Sequence, residues 1–83
     1  MPKIRNYILA ATTWDAQNWI LKTQRNPGEY RIILSTKDLS KVKNINIFIL
    51  EGWNIRDDAN IVFSKIISLE RAKWATIEMV EEW

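Results

Sequence analysis

The chain of 83 residues contains neither cysteine nor histidine. Without cysteine there is no disulfide framework and no thiolate nucleophile. Without histidine the chain lacks the most common zinc ligand and the usual general base near neutral pH. We therefore predict no metal site, no cofactor and no enzymatic activity.

Long apolar runs are also missing from this sequence. A membrane-spanning helix needs about 20 consecutive apolar residues, and no segment approaches that length. The apolar run at residues 7–11, which follows a basic N-terminus, is too short for the core of a signal peptide. We expect a soluble protein that resides in the cytoplasm.

A strong charge of either sign is absent, because 12 Lys and Arg face 10 Asp and Glu for a formal net charge of +2. That value is too small to mark a nucleic-acid binder, and it argues against an acidic mimic of DNA. The hydrophobic fraction of 47% and the charged fraction of 27% are typical of a globular chain. At this length we expect one domain.

The order of the predicted elements indicates the fold class. Residues 7–11, 30–34 and 45–50 form apolar runs typical of strands buried on both faces. A helix follows the first strand, a short turn lies at residues 35–39, and a long helix starts near Asp57. This β-α-β-turn-β-α order predicts an α/β fold with a small, three-stranded, mainly parallel sheet and a long C-terminal helix.

The last predicted helix is too long for the sheet beneath it. Twenty-six residues would span about 39 Å, whereas a six-residue strand spans about 20 Å. The apolar stripe that covers the sheet ends near Leu69, and apolar positions resume in the tail at Trp74, Ile77, Val80 and Trp83. We predict one domain over residues 1–83 in which residues 71–83 form a projecting or folded-back helical tail. A homodimer through this C-terminal helix is a further hypothesis.

Polar residues follow each predicted strand, at the edge where parallel α/β sheets bind ligands. The candidates for a small ligand site there are Thr12, Thr13, Ser35, Thr36 and Glu51. No glycine follows the first strand, so a phosphate cradle of backbone amides is not expected. The alternative is that the hydroxyls only cap helices and turns.

Five tryptophans are many for so small a core. Trp19 lies on the predicted core stripe of the first helix, whereas Trp14 and Leu21 lie roughly opposite. Exposed aromatic side chains mark binding surfaces, and the predicted partner contacts are Trp14, Leu21, Trp53, Trp74, Ile77 and Trp83. The alternative is that the indole rings cover the edges of the sheet and extend its core.

Basic residues within and near the loop at 37–43 suggest a nucleic-acid surface. The candidate contacts are Arg31, Lys37, Lys41, Lys43 and Arg56. Trp53 would supply a ring on which a base could stack. No motif of a known nucleic-acid module accompanies these residues, and an ordinary solvated loop is the alternative.

A resemblance rests on the positions of strands and helices over residues 5–63. The segments that carry it are Tyr7-Ile8-Leu9-Ala10-Ala11-Thr12, Asp15-Ala16, Trp19, Tyr30-Arg31, Ser35, Leu39 and Glu51-Gly52-Trp53. This arrangement resembles short proteins of bacteriophages and other mobile elements that form miniature Rossmann-like or helicase-like α/β domains. The resemblance implies a phage or mobile-element origin, and hence a host protein as partner in the host cytoplasm.

These features together predict a non-enzymatic binding protein. Through apolar and aromatic surface it would inhibit or redirect a host protein, by occlusion or induced association. A role in host takeover or against host defence, including an anti-CRISPR role, follows from the resemblance alone. The alternative is a nucleic-acid or nucleotide-binding accessory domain that uses the carboxyl ends of the strands and the loop at 37–43.

Overall fold

The computed structural model describes residues 4–81. Its regular elements are β1 (Asn6–Leu9), α1 (Thr13–Lys22), β2 (Tyr30–Ile32), β3 (Ile45–Leu50), α2 (Ala59–Arg71) and β4 (Ala75–Val80). Single 3-10 turns at Pro27–Glu29, Thr36–Leu39 and Trp53–Ile55 lie in the connections. The four strands form one parallel sheet in the order β2-β1-β3-β4. The predicted α/β class and parallel sheet are confirmed.

The two faces of the sheet are covered by different elements. On one face α1 packs Ala16, Trp19 and Ile20 against residues that include Ile8 and Phe48. On the other face α2 and the turn at Thr36–Leu39 cover a second apolar cluster. Because successive strand residues point to opposite faces, strands that serve two cores read as continuous apolar runs.

Both helices end by the same device. Gln24 and Lys73 follow α1 and α2 with φ values of 57° and 63°. The N–H of the next residue then donates to a carbonyl five positions earlier, Arg25 to Ile20 and Trp74 to Leu69, both at 2.9 Å. This is a Schellman motif, which reverses the chain within three residues.

The prediction of three strands and a long C-terminal helix is wrong in detail. The last helix starts at Ala59 and ends at Arg71, and residues 75–80 form the fourth strand beside β3. The segment predicted as a helical tail therefore returns to the sheet as a strand. The physical reason is that Ala75, Ile77 and Met79 alternate with more polar residues at a period of two, and Ala75 and Ile77 face the core under α2.

The homodimer predicted through a helical tail loses its basis with that helix. Trp83 lies outside the described residues. Within residues 4–81, neither helix combines the length and the apolar character that crossing a membrane requires.

Candidate functional site

The carboxyl ends of β1 and β2 border a cavity of about 210 Å³. Residues 10–13 follow β1, residues 32–34 include the end of β2, and both segments line the cavity together with Arg56. Of the five residues predicted for a ligand site, Thr12 and Thr13 line it. Ser35, Thr36 and Glu51 are not among its lining residues, so the structure brings only part of the predicted set together.

Arg56 lies between the carboxyl ends of β1 and β2. Its Nη1 donates to the carbonyl oxygens of Ile33 at 2.8 Å and Ala10 at 3.5 Å. Its Nη2 donates to the carbonyl oxygen of Leu34 at 2.9 Å. Nε and Nη2 also donate to the two carboxylate oxygens of Asp58, at 2.9 and 3.0 Å.

These bonds use every donor that Arg56 has. A guanidinium carries five N–H groups, and each of the five has an acceptor here. The side chain is only 13% exposed. Arg56 thus ties the ends of two strands to the start of α2, and no donor is left over for a phosphate.

Two of the predicted hydroxyls, those of Thr12 and Ser35, act as caps. The Thr12 side chain accepts a hydrogen bond from the backbone N–H of Asp15 at 3.1 Å and begins α1. Ser35 begins the turn at Thr36–Leu39 and shares a capping box with Asp38. Serine and threonine commonly cap the start of a helical turn in this way.

Asp38 holds the loop that follows β2. Its carboxylate accepts from the backbone N–H groups of Leu34 at 2.7 Å and Ser35 at 3.2 Å, and Arg31 pairs with it at 3.2 Å. Partial burial favours the neutral acid, but the two backbone donors and the Arg31 charge outweigh it and lower the pKa of Asp38 below its usual 3.8. The carboxylate is therefore a structural anchor.

The predicted nucleic-acid residues do not converge on one surface. Arg56 is engaged internally and Arg31 pairs with Asp38. Lys43 precedes β3 and so lies at the amino ends of the parallel strands, whereas Thr12 lies at their carboxyl ends. The Nζ of Lys43 is 4.9 Å from the ring centre of Trp74. Lys37 and Lys41 are exposed.

Trp53 does not offer the expected platform beside these lysines. Its ring stacks on Phe63 of α2, with ring centres 4.7 Å apart and planes inclined by 20°. The side chain is half-buried and packs against the core under α2. At this position the structure favours the alternative that an indole extends the core.

The outer face of α1 carries the most exposed apolar pair among the predicted contacts. Trp14 and Leu21 are each 70% exposed, whereas Trp19 on the inner face is 3% exposed. The predicted division of the helix into a core face and an outer face is confirmed. Trp14 and Leu21 border a shallow hollow of about 420 Å³ with Asn18 and Lys22.

Asn18 was missed by sequence reasoning. Its Nδ2 is buried without a hydrogen-bond partner, although the residue as a whole is half-buried. A buried amide donor without an acceptor costs free energy. Its position between Trp14 and Leu21, one turn from each, is the signal in the sequence that could have indicated it.

The other predicted contacts lie on β4. Trp74 is 44% exposed at the start of this strand, and Ile77 is half-buried against the core under α2. Met79, which was not predicted, is 54% exposed. Alternation along a strand would have indicated it, had the segment been recognised as one.

Within residues 4–81, no three His, Cys, Asp or Glu side chains lie close enough together to hold a metal ion.

Comparison with protein families, with curated proteins and with solved structures finds no match for this chain.

Proposed function

We propose that the protein is a non-enzymatic binding module that recognises a protein partner through the outer face of α1. The observation that carries this proposal is the pair Trp14 and Leu21, which lie two helical turns apart and are each 70% exposed. Exposed apolar side chains that lie together on one face are typical of interaction sites, and tryptophan is enriched among the residues that contribute most to binding.

The surroundings of the pair specify the chemistry of the partner. An indole and a leucine side chain fit an apolar cleft, with Asn18 between them. We therefore expect the partner to present an apolar cleft to this face of α1.

The more specific hypothesis is that this partner is a host protein which the module inhibits or redirects. Its basis is the resemblance to mobile-element proteins. Occlusion is the mechanism that suits a small module with an exposed apolar helix face. An anti-defence role belongs to the same hypothesis.

The alternative function, a nucleic-acid or nucleotide-binding accessory domain, has less support. All five donors of Arg56 are occupied. Lys43 lies at the other edge of the sheet from Thr12 and Thr13. Binding at the carboxyl ends of the strands would require both arrangements to change.

The test compares capture and affinity for three variants. Proteins are captured from a nuclease-treated extract with tagged wild type and with the variants Trp14→Glu, Leu21→Glu and Ile61→Glu. The captured protein is then purified, and its affinity for the wild type and for each variant is measured. Ile61 is the matched control, because it is 67% exposed on the other helix.

We expect Trp14→Glu to weaken binding by at least about 30-fold, the effect of losing a hot-spot residue. Ile61→Glu should bind like the wild type. Equal affinity for wild type and Trp14→Glu would overturn the proposal. If a parallel capture from untreated extract yields only species that nuclease treatment removes, the nucleic-acid alternative is favoured instead.

A further inference from the structure

The small net charge of the chain is the sum of two oppositely charged ends of the sheet. The connections that leave the carboxyl ends of the strands carry mostly acidic residues, namely Asp15, Asp38, Glu51, Asp57, Asp58 and Glu81 against Lys37 and Arg56. The described residues within five positions before β1, β3 and β4 are mostly basic, namely Arg5, Lys41, Lys43, Arg71 and Lys73 against Glu70. Such a separation directs an anionic ligand to the amino ends of these strands.

Backbone hydrogen bonds place the starts of β1, β3 and β4 side by side. The N–H of Asn46 donates to the carbonyl oxygen of Arg5 at 2.7 Å. The N–H of Ile45 donates to the carbonyl oxygen of Trp74 at 3.1 Å. Arg5 and Trp74 therefore lie on either side of the start of β3, and neighbouring strands are about 4.8 Å apart.

Two lysines adjoin the same positions. Lys43 precedes Ile45 by two residues, and Lys73 directly precedes Trp74. The Nζ of Lys43 lies 4.9 Å from the ring centre of Trp74, so this side chain extends along the start of β4. The basic side chains before three different strands thus share one end of the sheet.

Most of these basic side chains have no acidic partner. Four of them are exposed and make no ion pair or side-chain hydrogen bond with another residue among residues 4–81, namely Arg5, Lys41, Arg71 and Lys73. At the other end of the sheet, by contrast, Arg56 is paired with Asp58. A phosphate that binds at the amino ends does not have to displace a carboxylate.

Trp74 adds an aromatic ring to these cations. With Lys43 in place its side chain is still 44% exposed. Among residues 4–81, neither of the two apolar clusters of the core includes it. Proteins bind single-stranded nucleic acid through basic residues that contact the phosphates and exposed rings on which the bases stack.

We propose that the amino ends of β1, β3 and β4 bind single-stranded nucleic acid, with a base stacked on Trp74. Arg5, Lys43 and Lys73 contact its phosphates. The proposal does not depend on the partner-binding role of α1. It also differs from the nucleic-acid alternative discussed above, because that surface includes the carboxyl ends of the strands.

The exposed indole favours a single strand over other polyanions. In a duplex the bases are stacked on one another and their faces are not available to a protein ring. An acidic peptide such as polyglutamate supplies negative charge but no base. Both should therefore bind more weakly than a single strand of similar charge.

The test is the affinity for a fluorescent thymidine oligonucleotide of about 12 nucleotides, measured by fluorescence anisotropy. The measurement is repeated at about 50 and 200 mM salt. We expect binding to weaken about 20-fold between these concentrations. Each phosphate contact in a single strand contributes about −0.7 to the slope of log affinity against log salt, and three contacts are expected.

Charge and stacking are separated by two kinds of variant. Lys43→Glu and Lys73→Glu should each weaken binding about tenfold and make the salt dependence less steep, because each replaces a phosphate contact by a repulsive charge. Trp74→Ala should also weaken binding about tenfold, since a stacked base is lost. Its salt dependence should stay nearly unchanged, because no charge is removed.

Lys37→Glu is the matched control. Lys37 is exposed and belongs to the same loop at 37–43 as Lys43, but it follows β2 instead of preceding β3. The same change of charge at this position should leave the affinity within about twofold of the wild type. Unfolding curves of all variants check that the fold survives.

Three results would overturn the proposal. The first is no binding of the single strand at about 50 mM salt and 100 μM protein. The second is a loss in Lys37→Glu as large as in Lys43→Glu, which would place the nucleic acid at the loop and the carboxyl ends. The third is binding of a duplex or of polyglutamate as tight as that of the single strand, with no effect of Trp74→Ala, which would show that only charge is recognised.

Discussion

The carboxyl edge of the sheet and the outer face of α1 differ in how their side chains are used. At the edge, the hydroxyl of Thr12, the carboxylate of Asp38 and the guanidinium of Arg56 all bond to the protein's own backbone. On α1, Trp14 and Leu21 are mostly exposed to solvent. The polar side chains at the carboxyl ends of the strands stabilise the fold, whereas the exposed face of α1 that we propose for partner binding is apolar.

The largest expected effect on stability comes from removing the Arg56 side chain, which lies between the carboxyl ends of the strands. Arg56→Ala removes a guanidinium that is 13% exposed and leaves three carbonyl oxygens and Asp58 without their donor. We expect a loss of about 3 kcal/mol in the free energy of unfolding, measured in urea. Arg31→Ala, which removes an exposed ion pair, should lose less than about 1 kcal/mol. Equal losses in the two variants would contradict the structural role of Arg56.

A smaller loss is expected from Asp38→Ala. Two backbone N–H groups and Arg31 lose their acceptor, and the cost should be about 1–2 kcal/mol at neutral pH.

The same variant gives a pH test. Because the pKa of Asp38 is lowered in the folded state, its contribution is present above the unfolded pKa and is lost as the pH falls through the folded value. The unfolding free energies of wild type and variant should therefore converge below about pH 4. A difference that stays constant down to pH 2 would show that the carboxylate charge is not what matters.

Thr12→Ala tests the cap of α1. It removes the oxygen that accepts from the Asp15 N–H at 3.1 Å, and it should cost about 1 kcal/mol. Thr13→Ala is the control, since this residue lies within the helix, is exposed and does not supply the cap. Thermal unfolding of both variants measures the difference. A larger loss in Thr13→Ala would reverse the assignment of the cap.

The smallest effect on stability is expected from Trp14→Ala, which should change the free energy of unfolding by less than about 0.5 kcal/mol. The side chain is 70% exposed, so the fold loses little contact. If the proposed partner-binding role of α1 is right, binding of that partner should nevertheless fall strongly. A loss of more than 1 kcal/mol in the free energy of unfolding would mean that the indole stabilises the fold. Trp14 would then not differ in role from the residues at the carboxyl ends of the strands.

Much of the fold could be predicted because the strands that serve two cores have distinctive sequences. Residues 45–50 were predicted as a strand and form β3, and the stripe of α1 was identified through Ala16 and Trp19. Burial on both faces leaves a continuous apolar run, and burial on one helix face leaves a period of 3.6.

The fourth strand was missed because two periods overlap in its sequence. Trp74, Ile77 and Val80 are spaced as on a helix, whereas Ala75, Ile77 and Met79 alternate as on a strand. Contact with β3 decides between them, and that contact joins residues about 30 positions apart. The chain reversal at Lys73 also lacks the glycine that usually marks it.

The role of Arg56 was equally inaccessible to sequence reasoning. Its carbonyl acceptors lie 22 to 46 positions away. Only the adjacent Asp58 could have been suspected from spacing. In the sequence, a basic residue near other basic residues suggests a nucleic-acid contact. Only the topology shows that the ends of two strands meet around Arg56.

The position of β1 inside the sheet has a consequence for how the chain folds. This strand comes first, yet its partners begin at residues 30 and 46. Its first partner follows it by 24 residues (from 6 to 30) and its second by 40 residues (from 6 to 46). Such distant pairing slows folding relative to a helical bundle of equal size. A fragment that ends before β3 would hold the first strand with only one short neighbour, so the chain is expected to acquire its structure late and nearly all at once.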